Sequence, residues 1–190
     1  LVLTALLTGA RRGELFDLDA KIGIPAAGGL PDISGRVRFS DLGFEPFGRA
    51  PGLQGLDGAI EGRGASGIVR LATRDGVASW PLQWRALAEF PSVDGRVEWS
   101  RFGEGVRLWV DEAVIDTGYG TVRGKLRMAF QPGQLPLMDL NARVQNFDVT
   151  QVWRYLPIER IKPKSLAWLD AAFRAGRLVE GTVTQTGPTR

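Results

Sequence analysis

The feature that most constrains this chain is an alternation of apolar and polar side chains with a period of two, which runs from about residue 15 to residue 147. It is clearest in the segments 36–40, 96–100, 106–110, 125–130 and 138–144. Successive side chains of a β-strand point to opposite faces, so this alternation predicts strands with one apolar and one polar face. Short breaks with glycine, such as Gly103-Glu104-Gly105, suit hairpin connections. We therefore expect a mainly β fold, an antiparallel meander of about eight to ten strands.

The length and the order of these patterns favour a single unit. With 190 residues the chain has the size of one domain. We expect residues 1–147 to be mostly strands, residues 148–176 to form short helices and residues 177–190 to begin another strand. The sequence starts at Leu1 without an initiator Met and ends at Arg190. We therefore expect it to be a segment of a longer protein.

Two short helices are predicted after Phe147, and a third at Leu1 to Leu7. Asp148 is placed to cap the first helix, with Gln151 three residues later as its capping-box partner, and Pro157 ends it. Pro163 lies near the start of the second, for which Gly176 is the expected C′ residue. We expect helices over residues 149–156 and 163–175 that pack on the sheet through the apolar side chains of Trp153, Leu166, Leu169 and Phe173.

Composition excludes most kinds of site chemistry. The chain has no cysteine and no histidine, which removes disulfides, thiolate nucleophiles, imidazole bases and almost every transition-metal site. Its 24 basic residues are interleaved with 21 acidic ones along the whole length, so no basic face is expected for nucleic acid. We predict no metal, no cofactor and no nucleic-acid partner.

Two sequence patterns resemble catalytic motifs without meeting their requirements. The glycines of Gly62 to Gly67 have the G-x-G-x-x-G spacing of a dinucleotide-binding loop, which requires a helix directly afterwards. The segment 68–73 that follows is instead short and rich in strand-forming residues, so we expect the glycines to form a hairpin turn. Asp111 and Glu112 offer two carboxyl groups, but neighbours on a regular strand point to opposite faces. We predict no catalytic residue and no enzyme.

Six tryptophans are many for a chain of this length. Buried core is their most frequent role, and we expect it for Trp99 and Trp168. Aromatic side chains also line lipid and glycan sites. Trp109 alternates with Leu108 and Val110, which places it on the outer face.

The residues after Phe147 carry a family resemblance. Arg154-Tyr155-Leu156-Pro157, followed by Trp168-Leu169-Asp170-Ala171-Ala172 and Gly176, is similar to the R-Y-L-P and W-L-D-x-A-x-x-x-G signature of YhdP-type AsmA-like bacterial envelope proteins. The upstream segments 51–58, 67–71 and 93–99 resemble the middle portion of the same family in the same order. The resemblance therefore extends over nearly the whole chain.

This resemblance implies a long protein whose periplasmic body of β-sheet forms an elongated apolar groove that moves phospholipid between the inner and outer membranes. Its partners would be phospholipid acyl chains, the rest of the parent chain, and the inner membrane through an anchor outside this segment, in a Gram-negative bacterium. The family offers no catalytic motif. An apolar sheet face must in any case be covered by helices, a second sheet or an apolar ligand.

We therefore predict a curved, groove-like sheet with one apolar face on which acyl chains bind. The candidate groove residues are Val37, Phe39, Val97, Trp99, Val106, Leu108, Val110, Leu126, Met128, Phe130, Leu140 and Val144. Three alternatives stay open: the same residues form a closed core without ligand, the segment is a structural scaffold or docking module of the envelope, or it is a glycan-binding or glycan-hydrolysing sandwich. An open sheet would favour the groove, and a closed sandwich would favour the scaffold.

Overall fold

A computed structural model describes residues 10–23, 32–46, 51–81, 84–156 and 161–189. The predicted helix at Leu1 to Leu7 lies outside these residues. The described strands are β1 Ala10–Gly23, β2 Asp32–Phe44, β3 Gly52–Arg63, β4 Ser66–Ser79, β5 Ala88–Phe102, β6 Gly105–Asp116, β7 Thr121–Phe130, β8 Leu137–Asp148 and β9 Arg177–Pro188. A 3₁₀-helix, η1, spans Val149–Tyr155, and an α-helix, α1, spans Pro163–Ala172.

The strands form one antiparallel sheet in which spatial order follows chain order from β1 to β9. The predicted meander of eight to ten strands is confirmed, because local hairpins join most neighbours. The G-x-G-x-x-G segment is such a hairpin, with Arg63 of β3 paired to Ser66 of β4. β1 pairs only with β2, and β9 only with β8, so the described sheet is open rather than closed into a barrel. The predicted fold class is therefore confirmed.

Three neighbouring strands bend at one level, where their backbones leave the regular β conformation. Asp41, Gly55 and Asp75 have φ angles of 51°, 72° and 57°. A Cβ added to Gly55 would lie 3.1 Å from the Asp75 carbonyl oxygen, so two of the bends are adjacent. The Asp57 carboxylate accepts hydrogen bonds from the Ser40 hydroxyl at 2.8 Å and from the Asp41 amide at 3.0 Å. These bulges curl the sheet, because a bulge bends and twists the strand that contains it.

The first helix begins as the sequence predicts but without a capping box. The Asp148 carboxylate accepts hydrogen bonds from the Thr150 amide at 2.9 Å and its hydroxyl at 2.7 Å. The Gln151 side chain contacts Thr150 and Arg154 instead of reaching back, because the Asp148 amide already donates to the Tyr119 carbonyl. Tertiary contact with a neighbouring loop therefore replaces the predicted reciprocal bond.

The second helix ends earlier than predicted and contributes no buried residue. Its C-cap is Phe173, and Gly176 is not the C′ residue but lies just before β9, where its carbonyl accepts a hydrogen bond from the Val149 amide at 3.2 Å. Trp168 is 65% exposed, so the prediction that it lies in the core is wrong. No second layer of structure covers that side of α1 within the described residues, which leaves the indole in solvent.

A cluster of buried apolar residues lies toward the β1 side of the sheet. Val37, Phe39, Leu42 and Ile60 of β2 and β3 form a buried cluster, with exposures between 3% and 7%. β2 and β3, with partly buried side chains of β4, therefore hold a small closed core. Among the large apolar side chains of β5 to β9, only Phe147 of β8 is buried within the described residues.

Candidate functional site

The strand register brings the predicted groove residues onto one face of the sheet, which we call the apolar face. Residues that pair directly across antiparallel strands point to the same side. One row across the sheet consists of Val37, Ile60, Val69, Val97, Val110, Leu126 and Leu140. A second row contains Trp99, Leu108, Met128 and Met138, and Val106 pairs with Phe130 beyond it. Alternation places Phe39 and Val144 on the same face.

The apolar face is only partly covered. Of the twelve candidates, Val37 and Phe39 are buried at 7% and 3% exposure, and both belong to the closed core of β2 and β3. The other ten are half-buried, including Trp99, which sequence analysis placed in the core. These large apolar side chains therefore keep part of their surface in contact with solvent. The enclosed cluster lies in β2 and β3, and the candidates of β5 to β8 are not fully enclosed.

A row of small residues crosses the apolar face between two rows of branched ones. Gly95, Ala113, Gly124 and Ala142 are consecutive partners across β5 to β8. The flanking rows are Val97, Val110, Leu126 and Leu140 on one side and Val93, Ile115, Val122 and Val144 on the other. The face therefore has a shallow trench that runs across the strands. Sequence analysis missed it because only the register aligns these residues.

The opposite face, which we call the outer face, carries most of the charge. Cross-strand ion pairs there include Arg70 with Glu61 at 3.3 Å and Arg74 with Asp94 at 3.3 Å. Trp109 lies on this face, as the sequence predicts, and its Nε1 donates a hydrogen bond to Glu98 Oε2 at 3.1 Å. Exposed ion pairs contribute little to stability individually. The charged side chains on the outer face nevertheless make it much more polar than the apolar face.

A cavity of about 650 Å³ lies along the outer face, away from the trench. Its lining includes Arg36, Glu61, Ile68, Glu98 and Trp109, which form one row of the register. The charges around it have mixed sign, so it presents no field that selects an anion or a cation.

The two ends of the strands differ. The hairpin turns at residues 63–66 and 102–105 lie at one end, which we call the open rim. η1 follows β8 at the other end, where rings of Trp84 and Phe147 make edge contacts with Tyr155 at centroid distances of 5.7 and 5.9 Å. Burial raises the pKa of Tyr155, and its hydroxyl has no hydrogen-bond partner of normal geometry among the described residues. Aromatic packing therefore closes this end.

α1 attaches to this closed end through an ion pair and a small apolar cavity. Arg85, in the connection after β4, contacts both carboxylate oxygens of Asp170 at 2.8 and 2.9 Å. A cavity of about 210 Å³ lies beside this pair, lined by Trp153, Leu169 and Phe173 among others. Three of the four side chains predicted to fix the helices thus meet here, at the end of the sheet rather than on its face.

The acidic side chains of the described residues are dispersed and do not gather into a metal-binding group. No group of three or more acidic side chains among these residues is arranged to hold a metal ion. Asp111 and Glu112 are both exposed and fall where β6 bulges, so the regular alternation used to separate them is interrupted. No described helix is both long and apolar enough to cross a bilayer.

A single open, curled antiparallel sheet with one apolar face defines a β-groove type of protein. The family described as YhdP protein matches residues 2–190, and the chain belongs to this family. The Escherichia coli (strain K12) protein named Intermembrane phospholipid transporter YhdP is 24% identical over 155 residues. That match covers 80% of this chain and 12% of the relative, so the chain spans only a small part of the relative's length. No solved structure matches.

Proposed function

We propose that this chain is a non-catalytic segment of a phospholipid carrier and that acyl chains lie on its apolar face while they move between the inner and outer membranes. The observation that carries the proposal is the apolar face of β5 to β8, whose large side chains are half-buried and so accessible. The relative's name, which specifies intermembrane phospholipid transport, supports the same substrate. The segment would lie in the periplasm, with the parent's inner-membrane anchor elsewhere.

Transfer of an acyl chain onto this face is favourable without any reaction. Each CH₂ moved from water gains about 0.8 kcal/mol. The rows of the apolar face run from strand to strand, so a chain that leaves Leu126 meets Leu140 of the next strand in the same row. Neighbouring strands lie about 4.8 Å apart, which makes the apolar track nearly continuous. Movement therefore needs only small steps between similar sites.

Adjacent residues of β8 provide a matched test. Leu140 lies on the apolar face, whereas Asn141 lies on the outer face opposite Lys125. In the full-length parent, Leu140→Asp should lower phospholipid transport by more than about tenfold, because a carboxylate beside acyl chains loses several kcal/mol of hydration. Asn141→Asp adds the same group on the outer face and should leave transport unchanged.

Protein level and hydrogen exchange of β8 must first show that both variants fold. Transport at the parental rate by a folded Leu140→Asp variant would contradict the groove and favour a structural scaffold. A specific observation supports that second candidate at one end: the buried cluster of Val37, Phe39, Leu42 and Ile60 leaves no access for a lipid there.

A further inference from the structure

A charged residue, Arg101, lies among the apolar rows of β5 to β8. Arg101 pairs with Val106 in an unbroken stretch of register from Val97 to Phe102, so it points to the same side as Val97 and Trp99. Within residues 93–101 of β5, 106–115 of β6, 121–130 of β7 and 137–144 of β8, it is the only directly paired charged residue that alternation places on this face. The other directly paired charges that alternation places on this side, Glu89, Asp148 and Arg177, lie at the opposite end of the strands, so the guanidinium of Arg101 is the charge that adjoins the apolar rows at the end with the hairpins 63–66 and 102–105.

The position of Arg101 is at the open rim. Its amide donates a hydrogen bond to the carbonyl of Ala65 in the first rim hairpin at 2.8 Å, and Val106 next to it pairs with Phe130. The side chain is exposed and forms no ion pair with any residue that the structure describes. By contrast, Arg107 on the outer face of the same hairpin lies 4.1 Å from the Phe102 ring centroid. Arg101 thus combines a free cation with an adjoining apolar surface.

We propose that Arg101 binds the phosphate of a lipid headgroup at the open rim while the acyl chains lie over Trp99, Leu108 and Met128. The inference rests on the proposed function and adds the residue that recognises the headgroup. Guanidinium is suited to this task because it stays charged, is weakly hydrated and donates two parallel hydrogen bonds to a phosphate. The rim supplies the water that the remaining headgroup atoms need, and the face supplies the apolar contact.

The test uses the full-length parent with a photo-crosslinking residue at Met128, mixed with vesicles that contain dioleoyl phosphatidylglycerol or dioleoylglycerol. Arg101→Gln should lower capture of phosphatidylglycerol by about threefold to tenfold, the range for an exposed charge-assisted contact. Arg101→Lys should restore part of it. Capture of dioleoylglycerol, which has the same chains but no phosphate, should not change.

Arg107→Gln is the matched control, since it removes an arginine from the outer face of the same hairpin and should leave both captures unchanged. Equal loss of both lipids in Arg101→Gln, or no loss of either, would overturn the role of Arg101 while the groove stands. Complete displacement of phosphatidylglycerol by excess inorganic phosphate would also overturn it, because the site would then recognise free phosphate. Absence of any capture at Met128 in the unsubstituted protein would instead contradict the proposed function.

Discussion

At the scale of single residues, the sequence predicted the face of the sheet to which a side chain points. It did not predict how much of that side chain is exposed to solvent. Alternation alone put Leu108 and Met128 on one side and Trp109 on the other, because a strand allows no other arrangement. Trp168 shows the limit, since its place on a helix says nothing about whether a partner covers it. Whether a side chain is buried depends on residues far away in the chain. The residues next to it in the sequence do not show which distant segment covers it.

Glycines of one row offer a stability test at this scale. A Cβ added to Gly58 would lie 2.1 Å from the Arg70 carbonyl oxygen and 2.8 Å from Phe39 Cζ, whereas at Gly124 the nearest atoms are 3.6 Å away. Gly58→Ala should destabilise the fold by about 1–3 kcal/mol, the usual cost of overpacking, and Gly124→Ala should be nearly neutral. Hydrogen exchange of the β3 amides in the full-length parent would measure this loss of stability. Equal protection in both variants would show that the β2–β4 packing is looser than described.

At the scale of elements, the sequence predicted those features that depend on neighbouring residues. The hairpin at Gly62 to Gly67 and the cap at Asp148 both depend on residues within a few positions of each other. The attachment of α1 could not be predicted from the sequence, because Arg85 and Asp170 are 85 positions apart and each has other residues of opposite charge that it could pair with. The bulges at Asp41 and Asp75 were also missed, since only the paired strands show where an extra residue is accommodated.

The cap of η1 predicts a pH dependence. Hydrogen bonds from the Thr150 hydroxyl, then from its amide, lower the pKa of Asp148. The charged carboxylate therefore stabilises the folded state above the unfolded-state pKa of about 3.9, and this contribution is lost as the pH falls through the lower folded-state pKa. Protection of the Thr150 amide, corrected for intrinsic exchange, should drop in that acidic window. Asp148→Asn keeps a capping oxygen but cannot titrate, so the drop should shrink. An identical pH profile in both proteins would refute the cap.

At the scale of the whole molecule, the two-faced sheet was predictable and its uneven closure was not. Alternation over many strands required one apolar face, and the family resemblance is the basis of the role proposed for that face. The closed core at β2 and β3, the aromatic end near Tyr155 and the half-buried middle arise from bulges and long-range contacts. The resulting molecule is packed at one side and at one end, and accessible along β5 to β8.

The most direct test of the central claim compares adjacent residues of two neighbouring strands. Photo-crosslinking residues at Leu108 and Met128, which pair on the apolar face, should capture phospholipid in cells that express the full-length parent. The same residue at Arg107 or Arg127, one position earlier and on the outer face, should capture little or none. Equal capture at all four positions, or capture only at the arginines, would contradict a lipid groove on the apolar face.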